Sequence, residues 1–148
     1  KHGIFIDGFL VRLAATDAEK DTLIAHGWNG TVKTLTDTQF TDFSTQKKFA
    51  TLSGDTISEE DSNLSYPTTV DGVDVTAKSR EALKSEIDGQ IELVTSYLEN
   101  HTSTDWTTYK TKLEALDSAT MTLPIDKPFQ EWFNEQSGVP SLTLLQLP

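Results

Sequence analysis

The apolar positions of this chain change their spacing from one half to the other. In the first half they come in short runs. Ile4 to Ile6 and Phe9 to Leu13 flank Asp7-Gly8, a dipeptide that supplies the positive φ values of a two-residue turn, and predict a β-hairpin. Thr16 stands three residues before Glu19, the spacing of a capping box, so a helix is expected from Asp17 to about His26, stopped by Gly27. Asn29-Gly30 is a second turn signal leading into a short strand. Thr36 and Gln39 repeat the capping spacing ahead of Phe40 and Phe43, which would share a helix face.

In the second half the period becomes helical. Leu83, Ile87, Ile91, Val94 and Leu98 align as one stripe, which Gly89 weakens by about 1 kcal/mol. Trp106, Tyr109, Leu113 and Leu116 form another, and the short polar turn between them predicts an αα-hairpin over residues 77–117. Asp71-Gly72, between Val70 and Val73, reads as a further β-hairpin. Pro128 and Gly138 bracket a short helix carrying Phe129, Trp132 and Phe133 on one face. Between the halves, "SGDTISEEDSNLS" carries four acids and no base and is read as a solvated loop. The expected fold is α+β: an N-terminal unit over 1–52, a linker over 53–65 and a hairpin-plus-helical unit over 66–148, either separate from the first or sharing one core with it.

Composition narrows the chemistry. Twelve Lys and Arg against 23 Asp and Glu give a net charge of −11, a field that repels phosphate backbones and anionic lipid, so neither nucleic acid nor membrane is an expected partner. No apolar run approaches the roughly 18 residues of a membrane span. The chain has no cysteine, which excludes disulfides, thiolate metal sites and thiol nucleophiles. Asn29, Asn63 and Asn100 each begin an N-x-S/T sequon, a frequency that abundant Ser and Thr explain without glycosylation.

No catalytic or cofactor motif appears. His2, His26 and His101 lack metal-spaced companions, and His26 suits a helix C-terminus. The acidic stretch lacks the alternating ligands and central glycine of a calcium loop. Glu59, Glu60 and Asp61 are the densest acids, but an exposed loop offers nothing to raise one pKa for general acid catalysis. Trp106, Tyr109, Trp132 and Phe133 would serve a glycan- or host-surface-binding module if exposed; at helical spacing they read first as core. The expectation is no enzyme, no cofactor and no metal.

Two stretches resemble small accessory structural proteins of tailed bacteriophages, particularly marine myoviruses. Asp105 to Pro148 resembles tail-associated sequences in which a Trp and Tyr-Lys helix, an "L-P" connector, an amphipathic helix and a final "LQLP" follow in that order. Phe5 to Trp28 resembles the same group. The resemblance implies a non-enzymatic component of the virion at the tail, baseplate or neck, made in the host cytoplasm. Its implied partners are other virion subunits in a multi-copy assembly.

The last eight residues, "SLTLLQLP", sharpen that expectation. Val139, Leu142, Leu144, Leu145 and Leu147 would together contribute up to roughly 7 to 15 kcal/mol if buried, so the segment should dock. In an extended chain Leu142 and Leu144 face one side and Leu145 and Leu147 the other. The tail is therefore expected between its own αα-hairpin and a second surface, with Leu142, Leu144, Leu145, Leu147, Trp132 and Phe133 as candidate partner-binding residues.

Overall fold

Strands β1 (His2–Ile6) and β2 (Phe9–Ala14) are joined by Asp7 and Gly8 at φ 52° and 81°, the two positive values of a type I′ turn. The computed structural model describes all 148 residues, Lys1–Pro148, in two compact units: Lys1–Ser62 together with Thr143–Pro148, and Asn63–Leu142. Helices and strands are both abundant and the class is α+β.

The first unit is built on an antiparallel sheet in the order β3-β1-β2-β4-β5, with β3 at Thr31–Thr34, β4 at Lys48–Ser53 and β5 at Thr56–Asp61. Helix α1 (Asp17–Ala25) and helix α2 (Asp37–Ser44) connect the strands. The register shifts from Ile4↔Arg12 to Phe5↔Leu10, leaving Val11 as an extra residue. That bulge resets the strand's phase, so Leu10 and Leu13 reach one face although they are three residues apart. On that face Phe5, Leu13, Leu35, Phe43 and Ala50 form one core; Ile4, Ala14 and Leu23 form a second core with Val11 and Trp28. The sheet curls: Lys33, on the outer strand β3, reaches Asp55 in the β4–β5 turn at 2.6 Å, although β3 and β5 are opposite edges.

Both helix starts carry the expected caps. The Thr36 hydroxyl accepts from the Gln39 N–H and the Gln39 side chain accepts from the Thr36 N–H, each at 3.1 Å. At α1, Thr16 accepts from the Glu19 N–H at 3.2 Å, but the Glu19 carboxylate reaches one residue further back, to the Ala15 N–H at 2.7 Å. Gly30 is required by space: a Cβ there would lie 2.3 Å from the Phe5 carbonyl oxygen.

The acidic stretch expected as a loop is mostly strand. Gly54 at φ 60° takes the first central position of a two-residue turn between Ser53 and Thr56, as a type II′ hairpin demands, and β5 pairs with β4 from Thr56 to Asp61. The linker boundaries at 53 and 65 are thereby displaced, and the first unit runs to Ser62.

The tail also departs from expectation. Thr143–Pro148 belongs to the first unit, beside β2 and away from the extended form: Leu144–Gln146 make a 3-10 turn, with Gln146 accepting from the Thr143 N–H at 3.2 Å. Leu145 packs on the Phe5–Leu13 core and Leu147 is buried. The helical turn, not a second covering surface, explains why the leucines change phase.

The second unit holds a small hairpin, β6 (Thr69–Val70) and β7 (Val73–Asp74), turned by Asp71 and Gly72 at φ 50° and 77°. Helices α3 (Thr76–Leu98) and α4 (Thr104–Glu114) form the αα-hairpin, followed by α5 (Phe129–Asn134). Arg80 Nη1 donates to the Ser118 and Met121 carbonyls at 2.8 Å each, holding the loop after α4, and the Leu123-Pro124 bond is cis.

Deleting Thr143–Pro148 removes the buried Leu147 and an internal hydrogen bond and should lower the sheet unit's stability by about 2–4 kcal/mol. A urea melt reads this as an earlier transition; an unchanged midpoint would mean the segment is dispensable to the unit.

Candidate functional site

Arg12 projects from β2 on the face opposite Leu13, and three groups hold it. Its guanidinium lies 3.6 Å from the centre of the Trp28 ring, its Nη1 donates to the Val11 carbonyl at 2.7 Å, and its Nε donates to the Leu147 carbonyl at 3.0 Å. Burial pulls the Arg12 pKa down, yet a guanidinium remains charged at any ordinary pH. Arg12 therefore fixes the tail to the sheet.

What the tail leaves open lies between β2 and β4. These strands pair at Phe9↔Thr51, where the Leu52 N–H also donates to the Gly8 carbonyl at 2.8 Å, and then part. The gap is a slot of about 420 Å³ lined by Leu10, Phe43, Ala50 and Leu145, with Phe9 and Phe49 on its rim at 64% and 50% exposure. Lone exposed apolar residues are ordinary, whereas two phenylalanines beside an open apolar slot make a surface suited to contact. Lys48 and Glu60 line the same slot. The Lys48 ammonium is engaged by Glu59 at 3.2 Å and Asp42 at 3.9 Å, and the Glu59 hydrogen bond raises its pKa.

The candidate carboxylates Glu59, Glu60 and Asp61 are exposed. They lie along the exposed strand β5, and Glu59 is held below the usual carboxylate range by hydrogen bonds from Gln39 and Lys48, the reverse of what a general acid needs. No cluster of three or more His, Asp or Glu side chains is placed to hold a metal ion, and no helix is long and apolar enough to cross a membrane.

The aromatic platform is not on the surface. Trp106, Tyr109 and Phe133 are buried, with ring centres 5.1 Å apart for Trp106 and Tyr109 and 5.0 Å for Tyr109 and Phe133; Trp132 is half-buried against Phe129. Of the proposed partner-binding residues, Phe133 and Leu147 are buried within the chain, while Leu142, Leu144, Leu145 and Trp132 are half-buried. Phe9 and Phe49, which sequence reasoning did not single out as contact residues, are more accessible than any of these.

Sequence reasoning also missed a buried polar cluster. Tyr109 donates its hydroxyl proton to Gln90 Oε1 at 2.7 Å, with Gln130 Oε1 at 3.2 Å. Gln90 donates to Glu86 at 2.9 Å, and Gln130 donates to Asn134 at 3.0 Å and to the Leu142 carbonyl at 3.4 Å. The helical period did contain the signal, since Gln90 falls on one stripe with Leu83, Ile87 and Val94, all buried.

Comparison of the chain with protein-family models, with curated proteins and with solved structures returned no match.

Two phenols of the second unit respond to alkali. Burial, reinforced by the Glu86 charge, pushes Tyr66 up to about 12 from an ordinary 10.0. Tyr109 moves up further, chiefly by burial, with its Gln130 hydrogen bond working the other way. Raised folded pKa values mean that the unfolded chain releases these protons first. Their contribution to stability is therefore complete below pH 10.0 and falls progressively as pH rises through about 12. Urea midpoints measured across that range should decline, and Tyr66→Phe should flatten part of the decline; a flat profile for the parent chain would contradict the burial.

Proposed function

We propose that this chain is a non-enzymatic structural component of a tailed-phage particle, associated with the tail, baseplate or neck and acting through contacts with other subunits in a multi-copy assembly. The observation that carries the contact-making role is the open slot between β2 and β4 with Phe9 and Phe49 at its rim. Such a surface gains free energy when a partner covers it, at roughly 25 cal/mol per Å² of apolar area removed from water. The resemblance of Asp105–Pro148 to phage tail-associated sequences supplies the address.

The glycan-binding reading loses its main support, because three of its four stacking rings are buried. The acidic surface favours a role among proteins over one on nucleic acid, since a net charge of −11 opposes a phosphate backbone.

Mass spectrometry of purified particles should find this chain as a stoichiometric component, and its absence from intact particles would refute the proposal. Phe9→Ser with Phe49→Ser, both at exposed positions, should change stability by less than about 1 kcal/mol while reducing incorporation into particles. Normal incorporation of that double variant would remove the slot from the account.

A further inference from the structure

The slot and the face beside it carry more than a general capacity for contact, because their shape and charge select a partner. Phe49 is paired with Glu60 across the β4–β5 hairpin and Thr51 with Ser58, so these four side chains share the outer face of the sheet. A second hollow of about 330 Å³, lined by Phe49, Thr51, Ser58, Glu59 and Glu60, adjoins the slot and has Phe49, Thr51 and Glu60 in common with it. The result is a continuous path. At one end is an apolar hole within the ~300–1,000 Å³ range of ligand clefts; in the middle is a floor of short hydroxyl side chains; at the other end is the Glu60 carboxylate.

We propose that this path docks an extended segment of a partner protein bearing one large apolar side chain with lysine or arginine one or two residues away. The apolar side chain enters the slot between Phe9 and Phe49 and meets Leu10, Ala50 and Leu145. The segment's main chain crosses Thr51 and Ser58, whose hydroxyls can donate to and accept from peptide groups. Its cation sits over Glu60. Lys48 does not offset that acidity, because Glu59 and Asp42 already engage its ammonium.

Charge complementarity decides between occupants. A second copy would bring the same acids to the same face on a chain of net charge −11, and like charges placed together oppose docking. A cationic segment is attracted to the field that repels a copy. This deepens the assembly reading and rests on it in one respect: the segment belongs to another protein of the particle.

The probe is a synthetic peptide, Ser-Lys-Thr-Phe-Thr-Lys-Ser, titrated into the isotope-labelled full chain and followed through the amide NMR spectrum. Shifts should appear at Phe9, Phe49 and Glu60 and approach saturation by about 1 mM. Replacing the peptide's Phe by Ala, or both its Lys by Glu, should weaken binding at least about tenfold. Glu60→Lys should reverse the preference toward the Glu-flanked peptide, and Phe49→Ser should abolish the response while leaving the melting temperature close to that of the parent. Three results would overturn the proposal: no shifts at that concentration, equal response to all three peptides, or self-association of the parent chain that Phe49→Ser abolishes, which would assign the slot to a second copy. A chain that binds the lysine peptide but is missing from particles keeps this surface and loses the phage address. A chain present in particles that ignores every peptide loses this surface alone.

Discussion

Strand β2 meets β4 at one register position, and the apolar face it shares with β1 must still be covered beyond that point. Here α2 supplies Phe43, β4 supplies Ala50, and the final residues of the chain supply Leu145. The cover is fastened by Arg12, whose bond to the Leu147 carbonyl joins positions 135 residues apart in sequence. Because the fastening residue lies on β2 and the fastened segment follows residues 63–142, the first unit is discontinuous. Residues 63–142 are in effect an insertion between two pieces of one sheet domain.

The second unit solves a different problem. An αα-hairpin with apolar stripes can slide in register, since leucine against leucine discriminates poorly between alternatives. Tyr109, Gln90 and Gln130 discriminate well, because a slip would leave buried hydroxyl and amide groups without partners, each at a cost of about 1–3 kcal/mol. The T-shaped packing of Tyr109 on Trp106 and Phe133 depends on the same placement. The aromatics that looked available for ligand stacking are thus committed to fixing helix positions.

Local signals in the sequence were legible wherever a turn or cap is decided by neighbouring residues. Asp7-Gly8, Asp71-Gly72 and Thr36 with Gln39 could all be read because each is settled within a few residues, and α3 because its apolar period repeats over several turns. Gly54-Asp55 and Thr143 with Gln146 carried equally local signals, but acidic composition hid the first and an extended reading of the leucines hid the second. What could not be read was long-range: the Val11 bulge depends on the register of β1, and the tail's destination depends on where β2 and β4 diverge. The candidate site followed the same division. Phe9 and Phe49 look like ordinary strand residues until the parting of those strands makes them the rim of a slot.

The tail therefore closes the domain, and the slot beside Leu145 stays open. If the tail is integral, the Leu147 N–H, bonded to the Leu144 carbonyl at 3.1 Å, should not behave as a chain end. Native-state amide hydrogen exchange measures this directly. The account predicts that Leu147 exchanges with an opening free energy close to that of sheet amides such as Ile4 and Leu13. Exchange of Leu147 at the rate of a frayed terminus, while those sheet amides stay protected, would contradict it.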